Sequence, residues 1–547
     1  MPERSIEELT AEIRARYGIA GGGVGPGRFP VLLIRPSHYD ADGYVIQWFR
    51  SASSSGATAA MQTLVQDSLV RKVLGAEVQT EFRWIEEEAR RMRPERLAHQ
   101  LQNGRGLVIL VGVSPSRFAR AMDIALPLRV SGVSVCMEGF FVSSGVALQD
   151  GVIPELQEAM NLGISLFVGQ PTPQRIDDLV RDAWRGRLKP IYNCGERSAP
   201  AGTAPPPMAA TRRARSGTGP ALRLSPFDCT FSTVVNLREN LVPGPTHADD
   251  LERTIRTHLR KGVNRFLLAD RDLSRYPDWE QLFDRLIAMR EQEQLDIQCT
   301  LQIDMACHRL PGLMEKAARA GVRGVFLDMD LRRRQNSPDQ QTHEPSISAY
   351  RTVLLEWKRA GMIVFARYAI GGEGKAPEAV PAEIRMLQRE LPIDVLEPFW
   401  VPTRGDDAWA SAGHDAWKEF YTREHMEKVL RRAVATGTDV QDLTAVLLWF
   451  HFSVFCEKVE PLWGGSWRRK HRRDRRPSMQ MEDPLSFYTS YTLERIYRQV
   501  WRAALYWRFR RFVKRLQDEP GSMSYTDPAL DPANASGILL PQLPLTR

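Results

Sequence analysis

Three observations predict an α/β fold. Two series of short apolar runs alternate with helical stretches, a segment nearly empty of large apolar residues divides the series, and helix replaces strand after about residue 410. The first series contains PVLLIR (30–35), GLVILVGV (106–113), VSVCMEGF (133–140) and ISLFVG (164–169), with helical spacing between them, as over 116–129. Continuous apolar strands are buried on both faces, which a parallel sheet flanked by helices supplies. Residues 30–194 therefore read as a Rossmann-like domain, after a helix and glycine-rich lead over 1–29.

Residues 195–221 are rich in Pro, Ala, Gly and Ser and read as a flexible linker. The second series follows with RFLLAD (265–270), DIQCTLQID (296–304), GVFLDMD (324–330), MIVFARYAI (362–370) and DVLEPFWV (394–401), and with helices such as 279–292 between them. With the segment near Ser225 this makes about six strand–helix units, the pattern of a (β/α) barrel over 222–408. A helical region is expected over 409–520 and a tail over 521–547. Within it Leu493, Ile496, Tyr497, Val500, Trp501, Leu505, Phe509, Phe512 and Leu516 recur at helical spacing, opposite an arginine-rich face. Such a stripe is expected to pack on a neighbour.

Composition narrows the function classes. A hydrophobic fraction of 43% and a charged fraction of 26% are those of a globular protein. No apolar run approaches the roughly 20 residues of a spanning helix. The first thirty residues mix acids and bases without an apolar signal core, so export is not expected and the chain is placed in the cytoplasm. Six cysteines (Cys136, Cys194, Cys229, Cys299, Cys307 and Cys456) are too scattered for a disulfide framework. The net charge of +8 comes largely from clusters, the densest being WRRKHRRDRR at 467–476. A solvated or internally paired face explains that run without nucleic acid. Contact with a membrane surface through the arginine and aromatic residues of the last helix is a lesser alternative.

The chemistry-bearing segment is LRLSPFDCTFSTVVN at 222–236, in which Ser225, Cys229 and Ser232 stand where three cysteine ligands would be sought. Cluster iron takes soft thiolates, and a serine hydroxyl is a poor substitute. Together with VLLIRPSHYDADGYVIQWFRS (31–51), GFFVSSG (139–145), LPIDVLEPFW (391–400) and VEPLWGGSWRRKHRRDRRP (459–477), this text resembles the cobalamin-binding-domain radical S-adenosylmethionine proteins over roughly residues 30–515. The resemblance implies a cobalamin-binding-type Rossmann-like domain followed by a partial (β/α) TIM-type barrel and a C-terminal helical region. It also implies an iron–sulfur cluster held by three cysteines, of which Cys229 alone remains as the metal-ligand remnant beside Ser225 and Ser232.

The other departures fall on cofactor motifs. Leu327, Asp328, Met329 and Asp330 replace a Gly-Leu-Glu stretch, and Arg367 replaces a glycine in the strand that would approach the adenosyl group, which here continues through Tyr368, Ala369 and Ile370 to 371–373. Asp270 and Asp272 partly retain an acidic strand end. Glu138, Gly139, Phe140 and Phe141 stand in place of Gly-Gly-Phe-His. For cobalamin the candidates are His38, Asp42 and Gly43 after the first strand, and Gly112, Ser114, Gly139 and Ser143, small residues that would let backbone line a nucleotide slot. The expectation is a degenerate homologue, a pseudoenzyme without cluster or S-adenosylmethionine, with cobalamin left open. It would act as a partner or regulatory subunit of another protein, such as an intact radical S-adenosylmethionine paralogue. The alternative is an altered but active cobalamin-dependent enzyme, for methyl transfer or rearrangement.

Overall fold

The computed structural model of the chain describes residues 27–51, 56–101, 106–147, 152–169, 171–193, 233–236, 247–260, 264–269, 278–329, 346–370, 376–399, 407–459, 461, 464–519 and 521–532. Its contacts define two compact units, Met1–Ala210 with Gly465–Leu493, and Thr211–Gly464 with Glu494–Arg547.

In the first unit, β1 (Arg28–Arg35), β3 (Gln79–Glu86), β4 (Leu107–Leu110), β5 (Ser134–Glu138), β6 (Ser165–Val168) and β7 (Ile191–Asn193) form one parallel sheet in the order β3-β1-β4-β5-β6-β7. Alternate side chains of each central strand enter opposite cores. Leu32, Ile34, Val108, Leu110, Val135 and Met137 pack with Ala121, Ile124, Ala125 and Leu128 of the helix Pro115–Val130. Val31, Leu33, Leu107, Ile109, Cys136 and Phe167 pack with Met61 and Val65 of the helix Gly56–Val70 and with Ile176, Leu179 and Val180 of the helix Pro173–Trp184. Burial on both faces is why these strands read as unbroken apolar runs. The edge strand β3, QTEFRWIE, is only partly buried and lacks that signature.

One expectation needs correction. The region 409–520 is not wholly helical, because β14 (Gly465–Arg469) pairs antiparallel with β2 (Gln47–Ser51) and joins the first unit. The pairing explains the glycine at 465: a Cβ there would lie 2.1 Å from Trp48 Cγ.

The second unit carries six parallel strands in chain order: β8 (Thr233–Asn236), β9 (Arg265–Ala269), β10 (Gln298–Ile303), β11 (Val322–Met329), β12 (Ile363–Ala369) and β13 (Val395–Phe399). Helices occupy the connections, for example Trp279–Glu291 between β9 and β10 and Ile347–Arg359 between β11 and β12. Leu301, Val325, Leu327, Val364, Ala366 and Leu396 on one sheet face are 0–1% exposed. Gln302, Phe326, Asp328, Arg367 and Glu397 on the other are only partly buried. This is the repeating parallel array that the second series predicted.

Three further helices, Asp407–Phe420, Arg423–Ala435 and Val440–Phe455, complete this part of the unit. The helix Pro484–Asp518 runs from residues of the first unit into residues of the second. Its predicted stripe is divided: Leu505, Phe509 and Leu516 are buried, whereas Leu493, Ile496, Tyr497 and Val500 are exposed. No helix among the described residues is long and apolar enough to cross a membrane.

Candidate functional site

Ligands of parallel α/β sheets bind beyond the carboxyl ends of the strands, and in open sheets at the point where strand order reverses. In the first sheet that point lies between β1 and β4. After β1 come Ser37 and His38, and after β4 come Gly112 and Ser114. His38 is 7% exposed. Burial, then the charges of Arg117, Arg468 and Arg35, lower its pKa to about 3, so it is neutral.

Around this point the edge is filled by a network of charged side chains that the sequence reading did not single out. Glu87 accepts from Arg120 Nη2 at 2.6 Å and from the Ser37 amide at 3.0 Å. Glu88 accepts from Arg117 Nη2 at 2.5 Å, and Glu86 from Arg35 Nη1 at 2.8 Å. Tyr39 donates to Asp123 Oδ2 at 2.7 Å and accepts from Arg120 at 3.0 Å. Glu87 and Glu88 have no solvent exposure. Three glutamates in a row at the end of a strand, with arginines one turn apart at 117 and 120, were the available signal; paired burial of carboxylate and guanidinium at Glu87 and Glu88 is what makes it meaningful.

The remaining cobalamin candidates fall into separate groups. Gly112, with φ of +67°, donates its N–H to Glu138 Oε2 at 3.1 Å. Val113 donates to the Glu138 carbonyl at 2.9 Å, and a Cβ on Gly139 would stand 2.4 Å from Val113 N and O. The glycine thus serves a backbone–backbone approach between two loops. Ser114 precedes the helix Pro115–Val130, its hydroxyl 3.1 Å from that of Ser116, and Ser143 accepts from the Gly169 amide at 3.1 Å.

Asp42 and Gly43 belong to a turn over 40–44 that the basic run grips. Arg468 and Lys470 pair with Asp40, Lys470 also with Asp42, and Arg475 donates to the Asp42 carbonyl at 2.9 Å. Arg469 donates to the carbonyls of Trp48 and Ala89, each at 2.6 Å, and Arg91 pairs with Asp474 at 2.6 Å. Much of the 467–476 charge is therefore satisfied within the first unit.

The second sheet offers a different site on its partly open face. Register places Asp328, Arg367 and Glu397 side by side on β11, β12 and β13. Gln302 of β10 donates to Asp328 Oδ2 at 3.3 Å, and Arg367 Nε is 3.7 Å from Glu397 Oε1. Burial, opposed by Arg367 and reinforced by Asp328, raises Glu397 to about 7. The row can take up or release a proton near neutrality beside a fixed cation. Asp328 and Arg367 were flagged from sequence as departures. Gln302 and Glu397 were not, although Glu397 alternates with the buried Leu396 as a strand residue of the open face must.

Ser225, Cys229 and Ser232 lie outside the described residues, as do Asp270, Asp272, Asp330, 371–373 and Cys194. Cys136, Cys299, Cys307 and Cys456 are buried thiols, and Cys307 Sγ donates to Asp304 Oδ2 at 3.4 Å. Among the described residues no group of three or more His, Cys, Asp or Glu is arranged to hold a metal ion.

No family model matches this chain, and no curated protein does. Solved structures of the cobalamin-dependent S-adenosylmethionine radical enzyme OxsB match it in part. The selenomethionine-labelled apo form has 12% identity and a TM-score of 0.37, over 78% of this chain and 62% of that one. The form with aqua-cobalamin has 13% identity and a TM-score of 0.36, over 73% and 56%. With aqua-cobalamin and S-adenosylmethionine bound, the values are 12% and 0.35 over the same shares. The chain thus spans 56–62% of the length of the enzyme it matches.

Proposed function

We propose that this chain is a non-radical relative of the cobalamin-binding-domain radical S-adenosylmethionine proteins and works by association with another protein. One observation carries the reading: at the cluster spacing only Cys229 is a thiol, and Ser225 and Ser232 flank it. One soft ligand is too few to retain a four-iron cluster. The Arg367–Glu397 pair supports the same reading. It sets a long cationic side chain on the open sheet face where the resembling family keeps a glycine.

The residues around His38 do not fit a cobalt ligand as they stand, since the residue is buried and the positive charges of Arg117, Arg468 and Arg35 act on it, which disfavours a further cation there. Cobalamin held without a protein ligand to cobalt is the form left open to the alternative reading, an altered cobalamin-dependent enzyme.

Anaerobic reconstitution with iron and sulfide, followed by elemental analysis and electron paramagnetic resonance, tests the proposal. The expected result is no stoichiometric iron and no cleavage of S-adenosylmethionine. A full-occupancy cubane signal that disappears in Cys229→Ala overturns it. The Ser225→Cys/Ser232→Cys chain is expected to remain inactive towards S-adenosylmethionine, because Arg367 is still in place.

A further inference from the structure

The helix Pro484–Asp518 is apolar on two opposite sides within the second unit. Leu505, Phe509, Val513 and Leu516 are buried, whereas Ile496, Tyr497, Val500 and Trp507 are 57, 68, 63 and 56% exposed. Leu505 follows Ile496 by two and a half turns, which sets the two on opposite sides. A helix with this much apolar surface ordinarily has it covered.

The exposed side changes character along its length. Arg511 stands three turns beyond Val500, and Lys514 five turns beyond Ile496, on the same line. From Arg495 to Gln517 the helix has eight basic residues and no acid. Two of them, Arg498 and Arg502, approach Glu457 on the inner side. Ala504, Trp507, Arg508, Arg511 and Arg515 line an open cavity of about 640 Å³ where the apolar stretch gives way to the basic one.

This axial order selects among occupants. A bilayer would draw Arg511 and Lys514 into the hydrocarbon along with the stripe they continue, since interfacial helices keep their cations on the polar face. Nucleic acid would engage the cations but leave Ile496 and Val500 without apolar contact. A second copy would set the cations against each other in parallel, or against 485–493, a stretch without acid, in antiparallel.

We infer that this face docks a helical segment of a different protein, one whose apolar residues at three- and four-residue spacing lead into a run of aspartate and glutamate. The inference rests on the reading that the chain works by association, and it names the surface and the chemistry of the partner.

The test uses the full chain in its native host with p-benzoylphenylalanine at position 500 or 511. Both positions are expected to cross-link to one segment of one other protein, apolar opposite 500 and acidic opposite 511. Arg511→Glu with Arg515→Glu is expected to cut the yield at position 500 about tenfold, with thermal melting unchanged. Cross-links to lipid, nucleic acid, a second copy or a segment without acid overturn the inference. So does a yield no higher than that from the exposed control position Val70, or one that the double reversal leaves unchanged. Failure here with no iron in the reconstituted chain removes only the surface; cross-linking by a chain that holds a full cluster removes only the non-radical reading.

Discussion

The carboxyl edge of the first sheet buries two glutamates, Glu87 and Glu88, against two arginines, whereas the second sheet carries its acid–base row on a face that solvent reaches. Glu87 and Glu88 have no exposure, and their partners Arg117 and Arg120 are 2% and 6% exposed. Arg367 and Glu397 have side chains 36% and 19% exposed. The difference separates two uses of charge. A closed network holds loops in place and resists change, because removing one member strands another in a low-dielectric interior. A partly open row tolerates substitution and keeps its groups within reach of a ligand or a proton.

The largest expected effect comes from breaking the closed network. Glu88→Ala leaves Arg117 without its carboxylate and should cost about 3–5 kcal/mol of stability in urea unfolding of the full chain. A cost under about 1 kcal/mol would erase the contrast between the sheets. Next, Gly139→Ala forces a methyl against the Val113 backbone at a positive φ and should cost about 2–3 kcal/mol, read as a lowered melting temperature.

A smaller effect of the opposite sign belongs to the second sheet. Glu397 titrates near 7 in the folded chain, mainly through burial, and at the ordinary carboxylate value when unfolded. The folded state therefore holds the extra proton, and stability from this group is present at low pH and lost as pH rises through 7. Glu397→Gln should remove that loss, raising stability relative to the parent by about 1 kcal/mol at pH 8 and less at pH 5. An identical pH profile in the two chains would show that the carboxyl is not perturbed.

The smallest effect is spectroscopic. His38 should show no imidazole titration in nuclear magnetic resonance between about pH 5 and 8, since burial and three arginines hold it at about 3. Because its pKa is depressed, the unfolded chain binds more protons below the ordinary histidine value, and His38→Gln should lessen acid destabilisation there.

Much of the fold was legible where burial is two-sided. β1, β4, β5 and β6 announced themselves as apolar runs, and β9–β13 did so in the second unit, because strands covered on both faces, or on one face and partly on the other, leave few polar positions. Strand β3 escaped notice as a half-exposed edge with alternating charge, and β14 was hidden in a basic run whose only clue was its glycines. The candidate sites were less legible. Asp328 and Arg367 stood out as departures from a family pattern, but Gln302 and Glu397 joined them only through strand register. The glutamates at 86–88 are adjacent in sequence, yet their arginine partners lie at 35, 117 and 120, on a strand and a helix that the sheet brings to one edge.

The sequence by itself determined the order of elements, the two strand–helix series and the single thiol of Cys229 between the hydroxyls at 225 and 232, because periodicity and residue chemistry are local properties. Only tertiary structure decided that the basic run at 467–476 is gripped by the turn at 40–44 and that the last helix buries one apolar side and exposes the other. It also decided that Glu397 titrates near neutrality. Each of these depends on which distant groups share a low-dielectric neighbourhood, and the chain establishes that only when it folds.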